Sequence, residues 1–417
     1  MTPTARVQMA IEILEALETT AQPTDRFLKA WFRTRRFAGS GDRRAIAERV
    51  FSVQRHHAAL AHRMGDERPR ALMIAAALES GEDVEALFTS SLGGGYGPAP
   101  LTDTERAAIA ATPAAAPDWV RGEYPQWLES ELARAFGDRL LEEMQAFIGR
   151  APTDLRVNTL KASREEVLEA PQAQGVTAAA TPYAPHGIRI AGEAGNLSET
   201  PLFKSGAFEI QDEAAQIAAQ LCEARPGMRV LDLAAGAGGK SLALAAAMEN
   251  RGEIVACDVR GEALAELEKR AARAGVTIIK TLILDHAQPA GPFDLVLVDA
   301  PCSGTGTWRR QPELRWRLTP ARLAELTALQ DRLLDRAATL TAPGGRLVYA
   351  TCSILPTENQ DRVAQALVRH PGLTLLDLSQ SWPVNQPHKI PGLSADFRAS
   401  PALTGTDGVY GAGLRRE

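Results

Sequence analysis

Apolar residues at helical spacing run through Val7, Ala10, Ile11, Ile13, Leu14 and Leu17, and again through Ile46, Val50, Phe51 and Val53. That period predicts helices packed on one face over roughly the first 90 residues. A breaker cluster, Ser91-Leu-Gly-Gly-Gly-Tyr-Gly-Pro-Ala-Pro100, predicts a surface loop or linker, after which Asp103–Ala111 and Trp119–Ile148 are helical again. Between Leu155 and Ile190 the runs LRVNTL and GIRI surround one helical stretch, Arg164–Ala170, and predict a small α+β module. Beyond about Phe203 the texture changes. Apolar runs at Met228–Leu233, Glu253–Val259, Thr277–Leu284, Phe293–Val298 and Arg346–Ala350 alternate with helical stretches at Lys240–Glu249, Glu262–Ala274 and Ala321–Leu340. Strands that are apolar throughout, joined by helices, predict a doubly wound α/β domain with a parallel sheet covered on both faces. Ligands of such sheets sit at the carboxyl ends of the strands.

The chain of 417 residues has room for two or three domains. Its apolar runs are too short to cross a membrane, and MTPTARVQMA lacks the apolar core of a signal peptide, so a cytoplasmic protein with no membrane association is expected. Cys222, Cys257, Cys302 and Cys352 form no CxxC pair, so neither a metal site nor a disulfide framework is expected. The net charge of -5 argues against a uniformly basic nucleic-acid binder. Charge is uneven, however. From Arg26 to Arg70 there are 12 Lys/Arg against 4 Asp/Glu, a local excess of +8, with Trp31, Phe32 and Phe37 interleaved. Such a field attracts a polyanion; a solvated, arginine-rich helix face is the plain alternative.

The first strand of the α/β domain ends in Val230-Leu-Asp-Leu-Ala-Ala-Gly-Ala-Gly-Gly-Lys-Ser241. Its glycines let the backbone turn tightly and approach a ligand before a helix starts. The spacing fits neither GxxxxGK[ST] nor GxGxxG. Asp232, Asp258, Asp285 and Asp299 each close a predicted strand, and Asp258 follows the glycine turn at the distance expected of a ribose-binding acid. A row of carboxylates suits a ligand with hydroxyls, an exocyclic amine and a positive charge, which describes S-adenosyl-L-methionine better than a phosphorylated dinucleotide.

Two cysteines follow strand ends: Asp299-Ala-Pro-Cys-Ser303 and Tyr349-Ala-Thr-Cys-Ser353. If the two strands are neighbours, about 5 Å apart, both thiols face one pocket beside the cofactor edge. Cys222 and Cys257 read as core. A thiolate beside a methyl donor suits methylation of a pyrimidine at carbon 5. Addition at carbon 6 turns the ring into an enamine that can attack the methyl group, and an acid near ring nitrogen 3 stabilises the developing charge. Asp299 is placed for that, and as such an acid its carboxyl would hold or share a proton.

DAPCSGTGTWRRQPELRW together with ATCSILPTEN closely resembles the Sun/Nop family of RNA cytosine-5 methyltransferases, in its RsmB-like bacterial branch. Leu155–Lys161 is similar to the family's small RNA-binding module, Gln211–Gln216 to its entry helix, Asp407–Tyr410 to its closing strand, and the N-terminal helices to a NusB-like domain. The resemblance implies residues 1–140 as a helical NusB-like RNA-binding domain, 141–205 as the small module, and 206–417 as a Rossmann-like class I methyltransferase domain. It implies Cys352 as nucleophile and Cys302 as the thiol that aids release. Cofactor contacts are implied at Ala234, Ala235, Gly236, Ala237, Gly238, Gly239, Lys240, Asp258, Asp285 and Asp299. Arg156, Asn158, Lys161, Arg309 and Arg310 are candidates for RNA contact, and a monomer acting on 16S ribosomal RNA is expected. The turn AAGAGGK departs from the family's usual CAAPGGK by losing a cysteine, one alanine and the proline, which loosens it. Rival readings are a DNA cytosine-5 methyltransferase with Cys302 as attacker, a transfer-RNA methyltransferase, and a lapsed RNA-binding assembly factor.

Overall fold

The computed structural model describes residues 1–89, 96–173, 176–192, 195–380 and 389–417; residues 91–95 of the breaker cluster lie outside them. The chain divides into two compact units, residues 1–149 with 308–317, and residues 150–307 with 318–417.

In the first unit, helices Pro3–Glu18, Thr24–Thr34, Ser40–Arg55, His57–Met64 and Pro69–Glu79 pack around one core. The periodic residues Val7, Ile11, Leu14, Ile46, Val50 and Val53 supply it, as their spacing predicts. Arg26, Lys29, Arg33, Arg36 and Arg44 of the basic stretch are exposed. Of its aromatics only Phe37 stands out, at 69% exposure; Phe32 is buried, and the Arg35 guanidinium lies 3.6 Å over the Trp31 ring.

Ten residues following the DAPCS stretch belong to this helical unit. Trp308 is fully buried and meets Phe147 edge-on, with ring centroids 6.1 Å apart. The buried Arg315 guanidinium covers the Trp308 ring at 5.1 Å and donates to the Phe147 carbonyl at 2.7 Å. Burial lowers its pKa to about 10, against the opposing charge of Glu123. Glu313 accepts from the Thr24 amide at 3.0 Å, and the Trp316 indole donates to the Gln54 carbonyl at 3.2 Å. Nothing in the local pattern of WRRQPELRWR announces this. The pairing depends on backbone groups some 150 to 300 positions away along the chain, as the separations of 168, 262 and 289 show.

The second unit opens with a four-stranded antiparallel sheet, order β2-β3-β1-β4, from β1 (Thr153–Val157), β2 (Ala178–Ala180), β3 (Gly187–Ile190) and β4 (Phe208–Ile210). Helix Arg164–Ala173 lies between β1 and β2. Then come β5 (Arg229–Asp232), β6 (Glu253–Asp258), β7 (Ile279–Ile283), β8 (Phe293–Asp299), β9 (Thr341–Thr351), β10 (Leu373–Leu375), β11 (Asp396–Ala399) and β12 (Val409–Arg416). The path β10-β12-β9-β8-β5-β6-β7 runs parallel from β9 to β7; β12 is antiparallel and carries β10 and β11. Neighbouring positions of β8 face opposite layers. Leu295 and Leu297 pack with Leu242, Leu244 and Leu267, whereas Val296 and Val298 pack with Leu334, Ala337 and Val363. Burial on both faces is why these strands are apolar without alternation.

Removing the Trp308 side chain empties the centre of its cluster. Trp308→Ala is expected to cost about 3–5 kcal/mol of stability, read as a lowered unfolding midpoint of the full chain in guanidinium.

Candidate active site

Strand order reverses between β5, which continues to β6 and β7, and β8, which continues to β9. A ligand crevice belongs at the carboxyl ends on either side of this switch point. A cavity of about 640 Å³ lies there, lined among others by Ala234–Ala237, Gly239, Lys240, Asp258, Arg260 and Asp299. Gly236 and Gly238 hold φ of +55° and +81°. A Cβ on Gly238 would fall on the core residue Leu267, so the close turn needs glycine there. The substituted stretch is tied down from elsewhere. The Gly236 amide donates to Asp258 Oδ2 at 2.9 Å, and Arg270 donates to the Ala237 carbonyl at 2.6 Å. Asp258 also accepts from the Arg260 amide at 2.8 Å and its guanidinium at 3.0 Å. Burial works to raise the Asp258 pKa, but these bonds and the Arg260 charge hold it below the ordinary value. Leu284, Leu329 and Leu333 give the cavity an apolar wall.

At its other end Lys240 Nζ lies 2.6 Å from Asp299 Oδ2. Burial favours loss of the lysine proton, yet the Asp299 charge and hydrogen bond, with Cys352 and Asp232, hold its pKa above the usual lysine value. Asp232, buried and accepting from Ser241 Oγ at 2.6 Å, is pushed up to about 7, first by burial and further by Asp299.

β8 and β9 pair in parallel register with Asp299 opposite Ala350, so both cysteine turns leave the sheet at one level. Cys302 Sγ and Cys352 Sγ are 3.3 Å apart. Gly306 allows this approach: its amide donates to the Cys352 carbonyl at 2.9 Å and its carbonyl accepts from Gly408 at 2.8 Å. A Cβ at 306 would fall on the Gly408 oxygen. The Cys302 pKa is raised well above that of a free thiol, chiefly by the hydrogen bond to Cys352, then by burial and by the charges of Cys352 and Glu358. Fully buried Glu358 joins the two turns by accepting from Ser303 and Ser353.

The family described as 16S rRNA methyltransferase RsmB/F matches residues 219–415, and the RsmF/B-like ferredoxin-like domain matches 124–195. Ribosomal RNA small subunit methyltransferase B of Sodalis glossinidius is 32% identical over 77% of this chain and 69% of its own length. The chain belongs to this family. The probable ribosomal RNA small subunit methyltransferase B of Synechocystis is 38% identical over 59% of the chain and 57% of its own length. The matched segments thus span less than two thirds of the first curated relatives. The crystal structure of PH0851 superposes over 100% of the chain and 99% of its own, with a TM-score of 0.79 at 26% identity.

Within this RsmB/F framework most of the expected cofactor residues line the cavity. Gly238 shapes it from behind, and Asp285 does not reach it: β7 ends at Ile283, leaving Asp285 exposed on the following turn and Leu284 at the wall. The expected RNA residues divide. Lys161 and Arg310 are exposed, whereas Arg156, Asn158 and Arg309 are buried. Arg156 donates to Gln211 and to the Gly239 carbonyl, and Asn158 to the Gly206 and Ala274 carbonyls at 2.9 Å each. Both are turned inward because they satisfy backbone acceptors, Arg156 at the cavity wall and Asn158 at the end of helix Gly261–Ala274. Gln211, Arg260, Leu329, Leu333 and Glu358 were given no role by sequence. Glu358 stood within ATCSILPTEN, and its motif was the available signal.

Since the bond to Cys352 is the main cause of the raised Cys302 pKa, Cys352→Ala is expected to lower it. Alkylation of Cys302 by iodoacetamide, followed by peptide mass spectrometry, then reaches its plateau at lower pH in the variant than in the wild type.

Proposed function

We propose that the protein methylates carbon 5 of a cytosine in RNA, with 16S ribosomal RNA as substrate and S-adenosyl-L-methionine as methyl donor. The observation that carries the reading is the pair of thiols 3.3 Å apart at neighbouring strand ends, beside the Lys240–Asp299 pair. The relatives are named for the small-subunit RNA. The glycine turn and Asp258 would hold the donor, with the ribose at the carboxylate and the purine against Leu284, Leu329 and Leu333. Bound there, the donor supplies an electrophilic methyl group carried on a sulfonium.

Cys352 adds as thiolate to carbon 6 of the cytosine. The ring electrons shift toward nitrogen 3, where Asp299 and the ammonium of Lys240 supply the proton that stabilises them. Carbon 5, now enamine-like, takes the methyl group. Its remaining proton must then leave so that the bond from carbon 6 to Cys352 can break. Cys302 keeps its proton while the Cys352 charge is beside it. Once the Cys352 sulfur is bound to carbon, its charge is gone. Cys302 gives its own proton up to solvent and, as thiolate, takes the carbon 5 proton. The carbon 6–sulfur bond breaks to return Cys352 as thiolate, and nitrogen 3 returns its proton to the Lys240–Asp299 pair. The same charge therefore orders the two steps. The target base must lie in single-stranded RNA or be flipped out of a helix, because a stacked base exposes neither face of carbon 6.

Two measurements test this. Cys302→Ala, incubated with 16S rRNA and donor, should leave a covalent protein–RNA adduct on a denaturing gel, and Cys352→Ala should leave none; the reverse pattern overturns the assignment. By calorimetry, Asp258→Ala should bind S-adenosylmethionine at least tenfold more weakly, a loss of about 1.4 kcal/mol.

A further inference from the structure

We propose that Glu358 is a positioning residue that clamps the Cys302 turn against Cys352, so that release follows attack within one closed geometry. The proposal rests on the thiol roles given above. Glu358 is fully buried, and its carboxylate binds the residues that follow the thiols. Its Oε1 accepts from the Ser303 amide at 2.8 Å and from Gln330 Nε2 at 3.0 Å. Its Oε2 accepts from the hydroxyls of Ser303 and Ser353. Four donors meet the four lone-pair sites of a carboxylate, so its acceptor capacity is filled.

The donors are the immediate neighbours of the two cysteines. Ser303 follows Cys302 and Ser353 follows Cys352. The third donor, Gln330, also bonds the Pro301 carbonyl at 2.9 Å, gripping the Cys302 turn from its other side. Thr305 completes the frame: its hydroxyl lies 3.1 Å from Ser353 Oγ and accepts from the Ile354 amide at 3.0 Å. Three of the contacts around the carboxylate thus lead to residues 301–303, and only one to the Cys352 turn.

That turn has holders of its own. Thr351 Oγ1 donates to Asn359 Oδ1 at 2.6 Å, and Asn359 Nδ2 donates to the Ser353 carbonyl at 2.9 Å. Loss of the carboxylate should therefore free the release thiol while the attacking thiol stays in place. A glutamine at 358 offers one acceptor oxygen and turns an NH₂ donor toward donors.

The test is turnover of full-length Glu358→Gln on transcribed 16S rRNA with tritiated S-adenosylmethionine, alongside a denaturing gel, with Cys302→Ala as control. The expected result is a turnover lowered between about tenfold and a hundredfold, an unchanged KM for RNA, and a protein–RNA adduct absent from the wild type. A folded variant with normal turnover, or with lowered turnover and no adduct, overturns the proposal. Should Glu358→Gln fail to fold, Ser303→Ala, which deletes one donor only, decides by the same two readouts. If the Cys302→Ala control itself forms no adduct, the thiol assignment falls, and the clamp falls with it for that separate reason.

Discussion

The parallel pairing of β8 with β9, with Asp299 opposite Ala350, is the constraint on which the site depends. Neighbouring strands of one sheet are held about 4.8 Å apart by their hydrogen-bond ladder. Turns leaving them at one level bring their side chains together without any special loop. The backbone then has to tolerate close contact, and Gly306, between Cys352 and Gly408, supplies it. β12 completes the frame, since Tyr410 pairs with Thr351 one residue before Cys352. A register slip of one position would turn every side chain of β9 to the opposite face and separate the thiols.

The electrostatics follow from that arrangement. Lys240 brings one positive charge to a place shared by Asp299, Asp232 and a thiol pair. Asp232 yields: burial raises it to about 7, which leaves Asp299 as the direct partner of the ammonium. Burying an unpaired charge costs several kcal/mol, so the one lysine limits how many acids here can be charged together. The raised pKa values of Asp232 and Cys302 follow the same limit, since a proton on either removes a charge the lysine does not balance.

The cavity side of the site draws on the small antiparallel sheet as well as on the parallel one. Arg156 on β1 bonds the first residue of the helix Gly239–Ala247 and the Gln211 side chain, both at the cavity wall. The module expected to touch RNA therefore also holds the cofactor turn, and the Arg270–Ala237 bond does the same from helix Gly261–Ala274. Both ties hold the turn from segments outside it.

By itself the sequence determined the elements and the chemistry that short motifs carry. Apolar periods marked the first unit as helical, without dividing it into its separate helices, and placed all five strands of the parallel sheet to within a few residues. The glycine turn, the acid ending β6 and the two cysteine motifs marked the site. Such features are legible because each is decided locally, by which face is buried, by φ, or by a reactive atom at a strand end. The tertiary structure alone decided partners. It took residues 308–317 into the helical unit, turned Arg156 and Asn158 inward, left Asp285 in solvent and set Glu358 between the thiol turns. A charged side chain is stable in the interior only where donors or acceptors from distant segments meet it. Its own neighbours in sequence do not name them.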